Sequence, residues 1–173
     1  MTSSPKHEKR KQVRLAVEQV NLVAQKLKNS HRRFANYRYL RAVLRCYSKL
    51  EADKLLITLK SVLDRDYGVP KAREYHAIRR IIEATATSGD AKMRSRWTRA
   101  LEFSWNEEVE PKELKEFFEQ HGGISGCARH AARALATRPI SGWDDHGPNE
   151  REEYNAPRWE KEEWDRMKDH RGR

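Results

Sequence analysis

The chain has 173 residues, with 36 Lys or Arg against 26 Asp or Glu, a formal net charge of +10. Hydrophobic residues make up 37% and charged residues 36%, which predicts one domain with a thin core and a solvated tail. The longest strongly apolar run is Leu55-Leu56-Ile57, too short for a membrane span, and Met1 to Lys11 lacks the apolar segment of a secretory signal. Two cysteines, Cys46 and Cys127, are too few for a disulfide framework, so the expected setting is a reducing cytoplasm.

From residue 8 to 137 the pattern is helical. A first helix is expected from about Glu8 to Asn29, with Val13, Ala16, Val20, Val23 and Leu27 on one seam. Leu15 and Leu22 lie off that seam and predict contact with a second neighbour. After Asn29-Ser30-His31 a second helix runs from about Arg32 to Tyr47. Its Tyr39, Leu40, Val43, Leu44, Cys46 and Tyr47 form an apolar arc, and Arg38, Arg41 and Arg45 share the opposite side. Ser48 and Glu51 have the spacing of a capping box, which predicts a helix restart there; without a restart, Lys49 extends the basic stripe by a turn.

A third helix, to about Tyr67, carries Leu55, Leu56, Leu59, Val62 and Leu63 and ends at Gly68, with Pro70 opening the next. The fourth carries Tyr75, Ile78, Ile81 and Ile82. Asp90 is the expected N-cap of a fifth, on which Met93, Trp97, Ala100, Leu101 and Trp105 share a face. Pro111 is expected to open a sixth, with Leu114, Phe117 and Phe118 inward, closed by Gly122-Gly123. Ile124 and Ser125 read as staple and cap of a seventh bearing Ala128, Ala131, Ala132 and Leu135. No segment alternates with the period of a strand. The predicted architecture is all-α, with six to seven short-to-medium helices. A basic arm is expected over residues 1–10, a helical domain over 11–137, and a linker with an acidic, partly disordered tail over 138–173.

The charge is distributed unevenly. Residues 1–50 carry 13 basic and 2 acidic side chains; residues 51–100 carry 11 and 7; residues 101–138 carry 5 and 7; residues 139–173 carry 7 and 10. A block nearly free of carboxylates matches a polyanion, which gains counterion-release free energy from each phosphate neutralised. The expected contacts are Arg32, Arg33, Arg38, Arg41, Arg45 and Lys49, with Tyr37 and Tyr39 near enough to stack or to bond phosphate. Lys6, Lys9, Arg10, Lys11 and Arg14 would form a flexible arm adding sequence-independent affinity. The bland alternative is a solvated face balancing an acidic neighbour.

Other candidates carry less. Leu114 to Ser125 ends a helix in glycines, and the alanine-rich Gly126-Cys127-Ala128-Arg129-His130-Ala131-Ala132-Arg133 follows. These some twenty residues resemble the first two helices of factor-for-inversion-type helix–turn–helix domains, which implies a groove-reading regulator acting through Arg129 and Arg133. The chain departs from that pattern where a recognition helix would follow, at Arg138-Pro139-Ile140-Ser141-Gly142-Trp143-Asp144-Asp145, so the stretch reads better as a structural hairpin or partner surface. His121, Cys127 and His130 have zinc-compatible spacing without a nearby fourth ligand, and a buried cysteine beside capping histidines is the better reading. Glu102, Glu107, Glu108, Glu110 and Glu113 flank the helix start at Pro111, where negative charge suits the helix dipole better than it suits a metal site. No phosphate-binding glycine loop or nucleophile elbow occurs. In the tail, Trp159, Trp164 and Met167 fall on one side of a short helical stretch and are candidates for a protein partner or a second copy.

The expectation is a non-enzymatic nucleic-acid-binding protein, DNA favoured over RNA, without metal, cofactor or membrane contact, in the cytoplasm, and associated with nucleoid or nucleus if DNA is what it binds. The alternative is a helical adaptor or structural subunit of a larger protein or ribonucleoprotein assembly.

Overall fold

A computed structural model of the protein describes residues 5–27, 35–69, 76–87 and 89–137. Within them are seven α-helices and no strand: α1 (Pro5–Leu27), α2 (Ala35–Ala52), α3 (Leu56–Asp66), α4 (Ala77–Thr85), α5 (Ala91–Asn106), α6 (Leu114–Gln120) and α7 (Gly123–Thr137). All belong to one unit, Met1–Arg138. None of the described helices is long and apolar enough to cross a membrane.

Local chemistry sets most of the boundaries. Gly68 follows α3 at φ +61°, and the Val69 N–H reaches back 3.3 Å to the Leu63 carbonyl, closing the glycine-terminated end of the helix. The Asp90 carboxylate accepts from the Met93 N–H at 2.6 Å and caps α5. His76 caps α4 in the same way, its Nδ1 accepting from the Ile78 N–H at 3.3 Å.

α2 is the hub. Its Leu40, Val43, Leu44 and Leu50 are fully buried, and it touches α1, α3, α4, α5 and α6. The most extensive helix pair is α5 with α7, and the small buried side chains Cys127, Ala128 and Ala131 of α7 suit a close approach. Hydroxyls inside the fold are satisfied within their own helices: Ser104 donates to the Ala100 carbonyl at 2.8 Å and Thr98 to the Arg94 carbonyl at 2.9 Å.

Several expectations need correcting. The buried stripe of α1 is Val13, Val17, Val20 and Ala24; Ala16, Val23 and Leu27 are only partly covered. α1 does meet more than one neighbour, packing on α2, α3 and α4, but Leu15 and Leu22 themselves stay exposed. From Pro5 onward the expected arm is the first turns of α1, and no residue ahead of Val13 is buried. α2 does not restart at Ser48. That hydroxyl donates to the Leu44 carbonyl at 2.8 Å, the helix continues to Ala52, and Lys49 joins the basic stripe. Pro111 sits in a turn ahead of α6, and α7 begins at Gly123, so Ile124 and Ser125 are inside the helix rather than before it.

Candidate nucleic-acid interface

Burying the apolar arc of α2 turns Arg38, Arg41, Arg45 and Lys49 outward, within about 80° of one another at 100° per residue. Arg38, Arg45 and Lys49 are exposed, and Arg41 is half-buried. Arg41 Nη2 donates to the Lys112 carbonyl at 3.0 Å, which fixes its guanidinium at the approach to α6. Tyr37, Arg38, Arg41 and Lys115 line a shallow recess of about 270 Å³ there. Toward the other end of α2, Arg45 and Lys49 stand on the rim of a groove of about 390 Å³, whose apolar wall includes Leu15, Ala16, Val20, Val23 and Ala42.

Among the described residues, no carboxylate lies within ion-pairing distance of Arg38, Arg41, Arg45 or Lys49. Lys112 Nζ holds Glu110 at 2.7 Å and Glu113 at 3.8 Å, and Asp53 accepts from the Gln12 amide at 3.0 Å. Other arginines do find internal partners. Arg80 is buried against Asp64, and Glu83 is shared by Arg79 and Arg94. The chain thus divides its cations into a set that braces the fold and a set left facing outward.

The remaining sequence candidates fall differently. Lys9 and Lys11 are exposed and Arg10 half-buried on the projecting turns of α1. Arg14 donates through Nε to Asp66 at 2.7 Å; this contact lowers the Asp66 pKa and raises that of Arg14, leaving less of its charge for an external phosphate. Tyr39 is buried and bonded to Thr85, so it is not available for stacking. The Tyr37 ring lies 5.7 Å from Phe118, half-buried, as a wall of the recess rather than a free platform. Arg32, Arg33, Trp159, Trp164 and Met167 lie outside the described residues.

The two cysteines are ordinary core residues. Burial pushes the Cys46 thiol up to about 12 and the Cys127 thiol up to about 11, which leaves neither as a thiolate near neutral pH. His121 and His130 pack around Phe103, the latter stacked on its ring at 5.4 Å, and His121 Nδ1 donates to the Phe117 carbonyl at 2.8 Å. No three metal-ligating side chains converge among the described residues.

A feature missed by the sequence reading lies between α5 and α7. Lys92, Arg96 and Arg99 from one helix and Arg129 from the other surround a groove of about 510 Å³, floored by Ser95, Ser125, Ala128 and Ala132. The signal is present as an i, i+4, i+7 cationic stripe on α5, but a sum taken over residues 51–100 dilutes it with 7 acidic side chains, all of them ahead of α5.

Comparison with protein families, with curated proteins and with solved structures finds no match to this chain.

Proposed function

We propose that the protein is a non-enzymatic nucleic-acid-binding protein whose α2 face tracks the sugar–phosphate backbone, with duplex DNA as the favoured partner. The observation that carries this reading is the row Arg38, Arg41, Arg45 and Lys49, which faces outward without an internal carboxylate among the described residues. Eleven helical positions separate its ends, about 16 Å at 1.5 Å per residue, which matches the axial rise of about five base pairs at 3.4 Å each. Guanidinium forks suit phosphate oxygens at that spacing.

The setting of α2 favours backbone tracking over insertion into a major groove. A recognition helix has to stand proud of its domain, whereas α2 is embraced by five other helices and offers one strip between α1 and α6. Binding of this kind is strongly salt-dependent and weakly selective for sequence.

The test is a gel-shift titration of mixed-sequence duplex DNA, single-stranded DNA and RNA at two salt concentrations. The variant Arg38→Ala/Arg41→Ala/Arg45→Ala is expected to weaken binding by orders of magnitude. It should also flatten the logarithmic salt slope on duplex by about 2–3, at roughly 0.9 for each phosphate no longer neutralised. Unchanged affinity and slope would remove this face from the interface. Failure of the native protein to bind any of the three would turn the reading toward a helical adaptor.

A further inference from the structure

We propose that the groove between α5 and α7 is a second phosphate-backbone site, able to hold one strand of a nucleic acid along its length. It shares no lining residue with the α2 face and does not depend on it.

The groove has the shape and chemistry of a strand channel. Lys92, Arg96, Arg99 and Arg129 are all exposed, and each is long and cationic. Between them the floor is built from serine and alanine, whose side chains extend only one or two heavy atoms. Four flexible cations therefore stand around a low trough of small side chains that a chain of phosphates can occupy. Lys92 and Arg99 are seven residues apart on α5, about 10 Å along the axis, or about three nucleotides at 3.4 Å rise. The Ser95 and Ser125 hydroxyls add neutral donors within the trough.

Electrostatics favour an anion there. α7 contains no Asp or Glu over Gly123–Thr137, and α5 contains only Glu102. Among the described residues, no carboxylate comes within ion-pairing distance of Lys92, Arg96, Arg99 or Arg129. By contrast Arg94, on the buried side of the same helix, is held by Glu83 at 3.3 Å. The helix thus separates a structural arginine from three outward cations.

The ligand is a nucleic-acid strand rather than a lipid surface. Membrane contact by a basic patch is strengthened by apolar side chains that enter the acyl region. The exposed large hydrophobics among the described residues are Leu15, Leu22 and Ile57, none of which lines this groove. The trough is also free of aromatic rings, so recognition runs through phosphates rather than base stacking and is indifferent to sequence.

The test compares four full-length proteins: native, Arg38→Ala/Arg41→Ala/Arg45→Ala, Arg96→Ala/Arg99→Ala/Arg129→Ala, and all six changes together. Each is titrated by fluorescence anisotropy with labelled mixed-sequence 20-mers of single-stranded DNA, duplex DNA and RNA at two salt concentrations, alongside phosphatidylserine vesicles and polyglutamate. The three groove arginines are exposed and alanine suits a helix, so circular dichroism is expected to match the native protein. The groove variant should lose at least tenfold in affinity and about 2–3 in salt slope, with a further loss when all six are changed. A groove variant that binds all three nucleic acids like the native protein overturns the proposal, whatever the α2 variant does. Groove-dependent binding of vesicles or polyglutamate, without groove-dependent binding of nucleic acid, also overturns it. An α2 variant without effect beside a weakened groove variant leaves this site standing and removes only the α2 reading.

Discussion

The Tyr39 hydroxyl on α2 lies 2.9 Å from the Thr85 hydroxyl on α4, both buried, and the direction of that hydrogen bond is determined by its neighbour. Thr85 already donates its single proton to the Ile81 carbonyl at 2.7 Å, so Tyr39 is the donor and Thr85 the acceptor. The Tyr39 ring also lies 5.5 Å from Trp97. One side chain thus ties the hub helix to α4 and α5 while its chain neighbour Arg38 faces out. Tyr39 is one of the eight buried residues that set the rotation of α2, and with it the outward direction of the basic strip.

Tyr39→Phe removes the donor but keeps the ring contact, and Thr85 retains its bond to Ile81. The expected cost is about 1 kcal/mol, read as a lower urea midpoint with an unchanged m-value. Burial raises the Tyr39 phenol above its ordinary value. A group whose folded value is raised stabilises below its unfolded value and loses that contribution as pH rises, so the native protein should weaken in strong alkali more than Tyr39→Phe does.

Arg80 on α4 is 3% exposed and its guanidinium meets Asp64 on α3. Removing the acid alone strands a buried charge. Asp64→Ala is expected to lose about 3–5 kcal/mol, a large share of the stability of a domain this size. The paired change Asp64→Leu/Arg80→Met should be much closer to native, because it removes both charges together. Urea unfolding of the three proteins checks this. A single and a double variant equally destabilised would show that the pair acts through shape rather than charge.

His76 gives a pH dependence. Its Nδ1 accepts from the Ile78 N–H, so the ring is neutral with its proton on Nε2, directed at the Tyr47 hydroxyl at 3.5 Å. Glu102, 3.8 Å from the same Nδ1, is therefore a neighbour and not an ion-pair partner. Burial lowers the His76 pKa below its ordinary 6.5, with Glu51 opposing the shift. A lowered folded value means that the contribution is complete above the unfolded value and is lost as pH falls through the folded one. His76→Asn keeps a good cap and removes the titration. Its stability should vary less between pH 7.5 and pH 5 than that of the native protein, and a histidine proton resonance that titrates below 6.5 should disappear.

How far the sequence foretold these features depended on whether the responsible residues are neighbours in the chain. The stop at Gly68 and the cap at Asp90 are local events, and both occur where the residue types place them. The outward row on α2 is also local, because one helix carries both the apolar arc and its opposite. Ser48 and Glu51 misled because a capping box is indistinguishable in sequence from a mid-helix serine bonded to the carbonyl four residues back. The buried face of α1 depended on three neighbours at once, which moved the stripe from Ala16 and Val23 to Val17 and Ala24. The α5–α7 groove needed Arg96 and Arg129 together, and only the fold brings them to one trough.

That trough depends in turn on how tightly α7 follows α6. Gly126 is buried, and a Cβ added there would stand 1.7 Å from the His121 carbonyl oxygen, a backbone atom that cannot swing aside. The two helices are joined by only His121 and Gly122, and Gly122 and Gly123 both take positive φ. Gly126→Ala must push α7 away from α6 and disturb its packing on α5. The helix propensity gained from alanine, about 1 kcal/mol, is expected to be outweighed, leaving a protein less stable than native in thermal unfolding. Because Arg129 is three residues further along α7, the same change should weaken groove-dependent binding of nucleic acid. An alanine variant more stable than native would mean that the hairpin relaxes without cost and that α7 is not fixed by this contact.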